Sequence, residues 1–286
     1  MSKPVWFISG ASSGFGLEMA KVALAKGHTV IAAARSTSRL TELAELGAET
    51  LAFDVTSSLS EIRVLAKELF DKYKRVDYLI NAAGYILDGA VEEVSPEEVY
   101  ACFNTNVFGV MNTLKAFLPY IRQQDVVNGK RATVVTFGSV GSWNGGATYS
   151  VYAMTKASAS SLAESLRDEL KPFDIVATVI EPGYFRTSFL NQGRRTTSKE
   201  KIDAYEDPST PSGQMRQALE VVNNNQPGDP VRGAKVAVDV LTGDTQVPVR
   251  IVLGSDCDRD IREKCRSTVS ILDEWKEQIL STDFPK

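Results

Sequence analysis

Short runs of β-forming apolar residues recur along this chain: "VWFIS" (5–9), "TVIAAA" (29–34), "TLAFD" (50–54), "VDYLIN" (76–81), "TVVTF" (133–137) and "DIVATVI" (174–180). They are apolar at nearly every position, so both faces of each strand must be covered, which is the pattern of a parallel sheet buried between helices. Stretches of helical character lie between them, at 15–26, 58–74, 96–122 and 152–170. Strand and helix therefore alternate, and the expected class is α/β with a doubly wound parallel sheet.

The rhythm breaks after "EPGYFRTSFL". Residues 191–230 are polar and turn-rich around one helical candidate, "GQMRQALEVV", and a loop this long inside a compact domain predicts a substrate lid near 184–230. A helix at 231–241, a last strand "VRIVLG" and a terminal helix at about 256–278 follow. No linker or charge block divides the 286 residues, so one domain spanning 1–286 is expected.

Composition narrows the function. A net charge of −4 offers no basic face for nucleic acid. The three cysteines, Cys102, Cys257 and Cys265, lack the paired spacing of a zinc site, so no metal is expected and reduced thiols in a cytoplasmic protein are. The N-terminal apolar run is too short for a signal peptide, and no segment approaches the roughly 18 apolar residues of a membrane span.

"SGASSGFG" sets Gly10, Gly14 and Gly16 between the first strand and the first helix. Gly10 permits a tight turn, Gly14 a close approach of backbone to a pyrophosphate and Gly16 close helix packing, with phosphate meeting the helix N-terminus. The spacing is G-x-x-x-G-x-G, which still reads as a dinucleotide loop of a Rossmann fold in this position. The second strand then ends "AAAR", without a carboxylate to hold an adenosine ribose. Arg35 instead suits an added 2′-phosphate, which favours NADP(H) as cofactor. Arg39 is a weaker second phosphate contact. Asp54 is a candidate for the adenine amino group or a helix cap.

A chain with one histidine, His28, must move protons by other means. Tyr152 and Lys156 stand at i and i+4, so one helical face presents both. A neighbouring ammonium favours phenolate and draws the tyrosine toward the working pH. Ser139, at the end of the fifth apolar run, can orient a substrate oxygen toward Tyr152. Hydride carried by nicotinamide with a proton carried by tyrosine interconverts a carbonyl and an alcohol.

These residues together resemble the short-chain dehydrogenase/reductase family, from about residue 4 to 190 and more loosely to 254. The matching segments are "SGASSGFG", "NAAG" (81–84), "NTNVFG", the Ser139, Tyr152 and Lys156 set, and "EPGYFRT". The resemblance implies a proton relay in which Tyr152 is acid or base, and Lys156 lowers its pKa and contacts the nicotinamide ribose. Ser139 polarises the substrate oxygen, and Asn106 holds a water leading from Lys156 to solvent. It also implies cofactor contacts from Gly10, Ser12, Ser13, Gly14, Phe15 and Gly16 of the loop. Further contacts come from Asp54 and Val55, from Asn81, Ala82, Ala83 and Gly84, and from Pro182, Gly183 and Thr187. Ser9 and Ala82 depart from the family's usual threonine and asparagine, which bears on cofactor geometry more than on chemistry.

Trp143, Tyr149, Tyr184, Phe185 and Phe189 flank this set and are the expected wall of a pocket for a lipophilic small molecule. "PGYFRTSFL" is similar to the hydroxysteroid- and retinol-dehydrogenase-like branch. The small-residue stretch "ASASSLAES" allows a homodimer or homotetramer. Two other readings stay open: a non-redox isomerisation or cyclisation on the same fold, and an NADP(H)-binding sensor that turns nothing over.

Overall fold

The computed structural model describes residues 3–191 and 195–284. Its first strand, β1 (Val5–Ser9), sends Val5 and Phe7 into one apolar layer and Trp6 and Ile8 into another. Period-two alternation with apolar residues on both sides is the local cause of the whole architecture, because each face then demands its own cover of helices.

From β1 the chain runs through α1 (Gly14–Ala25), β2 (Thr29–Ala34), α2 (Thr41–Glu45), β3 (Glu49–Ala52), α3 (Leu59–Tyr73) and β4 (Tyr78–Asn81). It continues through β5 (Ile86–Asp88), α4 (Pro96–Phe103), α5 (Gly109–Ile121), β6 (Ala132–Phe137), α6 (Ser150–Leu170) and β7 (Ile175–Pro182). Then come β8 (Arg195–Thr197), α7 (Asp203–Glu206), α8 (Pro211–Val222), α9 (Pro230–Thr242), β9 (Arg250–Leu253), α10 (Ser255–Glu274) and α11 (Lys276–Leu280).

Seven strands form one parallel sheet in the order β3-β2-β1-β4-β6-β7-β9. On one face α3, α5 and α6 supply Ile62, Phe70, Phe117 and Leu166 to the layer around Phe7; on the other, α1 and α9 supply Met19, Ala23, Ala237 and Leu241 to the layer around Trp6. Phe7 and Phe117 meet with ring centroids 4.7 Å apart. Strand order reverses between β1 and β4, and the crevice at the carboxyl ends of those strands is where an open α/β sheet takes its ligand.

Two boundaries differ from the sequence expectation for a physical reason. The helix expected over 96–122 is interrupted by a π-helical turn at Asn104–Phe108, which separates α4 from α5 and buries Asn106. Asp54 lies two residues past the end of β3, where its carboxylate accepts bonds from the Thr56 amide (2.9 Å) and hydroxyl (2.7 Å).

The expected lid is fastened rather than loose, and residues 192–194 of it lie outside the described residues. β8 pairs with β5 in a separate two-stranded parallel sheet. Arg195 reaches the fully buried Asp88 at 2.9 Å and Glu220 at 2.7 Å. Arg216 of α8 pairs with the buried Glu93, whose other oxygen accepts the Ile202 amide at 3.1 Å. A carboxylate buried this deeply is tolerable only with such a partner, so these pairs fix where α8 sits.

Candidate active site

A cleft of about 880 Å³ opens at the reversal point between β1 and β4. Its floor is the turn from β1 to α1. Gly10 has φ +70°, and a Cβ there would lie 2.7 Å from the Ala83 nitrogen and 2.8 Å from the Ala82 carbonyl oxygen, so only glycine lets the two loops close on each other. A Cβ on Gly16 would meet the Gly10 carbonyl oxygen at 2.6 Å. Gly14, at φ +54°, opens α1, whose first turn carries no acidic side chain to occupy its amides. The cradle fits a dinucleotide: glycine backbone at a helix N-terminus at one end, and arginine at the other.

Ser12, Ser13 and Phe15 line this floor with the three glycines, and Ala82, Ala83 and Gly84 line the facing turn. Arg35, Arg39, Asp54 and Val55 surround the far end, and Pro182, Gly183 and Thr187 close over the near end, with Thr187 packed 3.6 Å from the position of a Gly14 Cβ. Asn81, expected on this floor through its backbone, stands just behind it at the end of β4. Its buried side chain donates to the Val135 carbonyl of the neighbouring strand at 3.2 Å and does not line the cleft.

Ser139, Tyr152 and Lys156 share one wall. α6 brings Tyr152 and Lys156 onto its buried face, with the Lys156 ammonium nitrogen 5.6 Å from the centre of the Tyr152 ring. That nitrogen donates to the Phe137 carbonyl at 2.9 Å. Ser139 follows β6, and its hydroxyl accepts the Gly141 amide at 3.1 Å. Thr148 precedes this wall in a left-handed conformation (φ +66°), held by the Gly89 amide bonding its carbonyl at 2.6 Å.

The titration of the pair departs from expectation. Burial pushes the Tyr152 phenol above its ordinary value, opposed in part by a hydrogen bond with Ser139, and burial lowers Lys156 to about 8. Desolvation outweighs the Ser139 hydrogen bond here, so in this structure the phenol is held protonated at neutral pH. The lysine remains mostly ammonium.

Asn106 stands behind the wall instead of on it. Its amide nitrogen donates to the Tyr85 carbonyl (2.9 Å) and the Thr155 hydroxyl (3.0 Å), and its oxygen accepts the Tyr85 amide (3.1 Å). Both amide hydrogens are used and one oxygen lone pair is left. Asn106 and Lys156 flank Gly84, at 3.1 and 3.6 Å from the position its Cβ would take.

Of the aromatic residues expected around the substrate, Tyr149, Tyr184, Phe185 and Phe189 line the cleft, and Phe189 meets Tyr152 with ring centroids 5.9 Å apart. Phe185 is wedged against Gly228, Gly233 and Phe15, so much of its surface is packing. Trp143 does not line the cleft with them. A 3₁₀ turn after Ser139 swings it outward, where its indole donates to Glu181 at 3.0 Å under the Arg250 guanidinium, 4.7 Å from its ring.

The cleft also has walls that sequence reading missed. Leu219 and Gln226 come from the lid, Thr196 from β8, Tyr85 from the turn before β5, and Asp260 from α10. The Gln226 side-chain oxygen is buried without a hydrogen-bond partner among the described residues. Burial pushes Tyr184 and Tyr149 up, and the Asp260 carboxylate adds to both. Nothing local in "NNNQPGDP" or in the first turns of α10 marks these positions, since they reach the cleft only through the long-range docking of the lid and the last helix.

Comparison with known proteins agrees with this architecture. The family model described as short chain dehydrogenase matches residues 4–198. The oxidoreductase BOA17 of Botryotinia fuckeliana (strain B05.10) is 31% identical over 284 residues, covering 97% of this chain and 98% of that protein. A 3-ketodihydrosphingosine reductase of Bacteroides thetaiotaomicron is 35% identical over 190 residues, 66% of each protein. The crystal structure of a short-chain dehydrogenase from Streptomyces avermitilis is similar with TM-score 0.88 and 36% identity, covering 99% of this chain and all of that one.

Proposed function

This chain belongs to the short-chain dehydrogenase family, and from that membership we propose that it is an NADP(H)-dependent reductase of a carbonyl on a lipophilic small molecule. The observation that carries the reading is the convergence of Tyr152, Ser139 and Lys156 on one wall of a cleft floored by the Gly10 to Gly16 turn. The Arg35 and Arg39 side chains at the far end of that cleft support a phosphorylated ribose, and hence NADP(H) over NAD(H). Tyr149, Tyr184 and Phe189 support an apolar substrate. The similarity to a 3-ketodihydrosphingosine reductase supports a carbonyl as the reacting group, and the likeness of "PGYFRTSFL" to the hydroxysteroid- and retinol-dehydrogenase-like branch supports a lipophilic molecule around it.

When bound, the reduced dinucleotide supplies the hydride. The chain's own residues do the rest. The Ser139 hydroxyl positions the carbonyl oxygen, and Tyr152, kept protonated by burial, gives that oxygen its proton. Lys156, held to the Phe137 carbonyl, keeps an ammonium beside the phenolate that results. Asn106 fixes the Tyr85 turn and Thr155 next to Lys156, and its spare lone pair is where a water leading to solvent would bond. The whole of 1–286 acts as one cytoplasmic domain in this reading.

The test is stoichiometric loss of NADPH absorbance with a panel of lipophilic ketones. Reduction of at least one, with NADH much the poorer donor, is the expected result. Product formed without NADPH consumption would turn the reading to a non-redox reaction, and binding without product to a sensor.

A further inference from the structure

Every residue from Arg262 to Phe284 is exposed, yet the chain is helical over α10 and again over α11, with a bend at Trp275 (φ −101°, ψ 15°) between them. An isolated helix in water is marginal, so a solvated one of this length calls for a partner surface. The sequence of the helix says what kind. Ile261, Cys265, Thr268, Leu272, Trp275 and Ile279 are spaced 4-3-4-3-4, and only Thr268 is polar. These steps average about 3.6 residues, one helical turn, so the six side chains share one face and form a single apolar seam along the helix, exposed from Cys265 onward. Val269 and Ile271, both more than half exposed, flank the middle of the seam.

Charge selects the partner and its direction. Residues 262–266 carry net +2 (Arg262, Lys264 and Arg266 against Glu263), and residues 273–277 carry net −2 (Asp273, Glu274 and Glu277 against Lys276). Two copies of the helix laid antiparallel bring each basic segment beside an acidic one and also oppose their dipoles favourably. Laid parallel, they would set like beside like. At the foot of the helix, Val252 of the edge strand β9 joins Ile261 and Cys265 in a groove of about 490 Å³, rimmed by Asp258, Arg262 and Arg266. Antiparallel pairing carries Trp275 and Ile279 of one copy to that groove on the other. A lipid surface suits the helix less, because its polar positions lack the lysine and arginine excess of an interfacial helix.

We propose that α10 and α11 are the docking surface for a second copy of this chain, the two helices packing antiparallel along this seam with the tip of each seated in the groove at the foot of the other. Light scattering on the full-length protein should give a particle of at least twice the 31.2 kDa chain mass. Leu272→Glu combined with Trp275→Glu should halve that mass while leaving the melting midpoint of the body unchanged, because both side chains are more than half exposed. Glu263→Gln, off the seam, should leave the mass intact. Antiparallel packing sets the two Cys265 thiols roughly 15 Å apart along the axis, so diamide should not link them. A monomeric wild type, or a mass indifferent to the double substitution, overturns the proposal. So does monomeric protein floating with phosphatidylcholine and phosphatidylserine vesicles through these two residues, and a Cys265 disulfide between copies overturns the antiparallel direction.

Discussion

The Lys156 ammonium nitrogen donates to the carbonyl of Phe137 at 2.9 Å, tying the face of α6 that carries Tyr152 to the last residue of β6, two positions before Ser139. Burial lowers this lysine from 10.5 to about 8. The folded state therefore binds fewer protons than the unfolded chain between those values, and stability rises with pH across that window. Below about pH 8 the cost of burying the cation is present in full, on the order of 3 kcal/mol. Urea unfolding should show wild-type protein gaining stability from about pH 8 upward. Lys156→Met should lack that gain, and parallel pH profiles for the two proteins would refute it.

Tyr152→Phe removes one oxygen from a ring that is already buried and packed near Phe189. The fold should tolerate it. Turnover should fall by roughly 10²–10⁴, the usual contribution of a positioned general acid. NADPH affinity, measured by fluorescence titration, should stay within about twofold, since the cofactor floor is made by other loops. Activity close to wild type would remove Tyr152 from the chemistry.

Arg35 is exposed at the end of β2 and lines the cleft with Arg39 and Asp54. A hydrogen-bonded charge of this kind is worth roughly 1.5–3 kcal/mol toward a phosphate. Arg35→Asp should therefore move the NADPH to NADH ratio of kcat/KM by about 10- to 100-fold toward NADH. Stability should scarcely change. An unaltered ratio would show that Arg35 does not select the cofactor.

What could be read in the sequence is what is local. Apolar runs with both faces covered, glycines at a strand-to-helix turn, and Tyr152 with Lys156 on one turn of helix each follow from a few neighbouring residues. Asn106 was legible as a position, but its π-helical turn was not, because the register shift of one extra residue is hidden in a stretch, "ACFNTNVFGV", with apolar residues on every side. Trp143 misled for the same reason. It is four residues from Ser139 in sequence, and its true partners, Glu181 and Arg250, belong to β7 and β9. The buried Asp88 and Glu93, which lock the lid through Arg195 and Arg216, look like ordinary surface acids until the chain folds. Gln226 and Asp260 depend on that same docking.

Trp143 gives a direct check on which aromatic residues touch substrate. Its indole N–H is one of the bonds that satisfy Glu181, a fully buried carboxylate also held by Ser160 at 2.6 Å and by Arg250. Trp143→Phe keeps a ring under the Arg250 guanidinium but deletes that donor. The loss should cost about 1–3 kcal/mol of stability, read as a lower urea midpoint. The cleft itself is untouched, so KM for a lipophilic ketone should be unchanged, whereas Phe189→Ala, which strips a ring from beside Tyr152, should raise it several-fold. A Trp143→Phe enzyme of normal stability and altered KM would put the indole back in the substrate pocket.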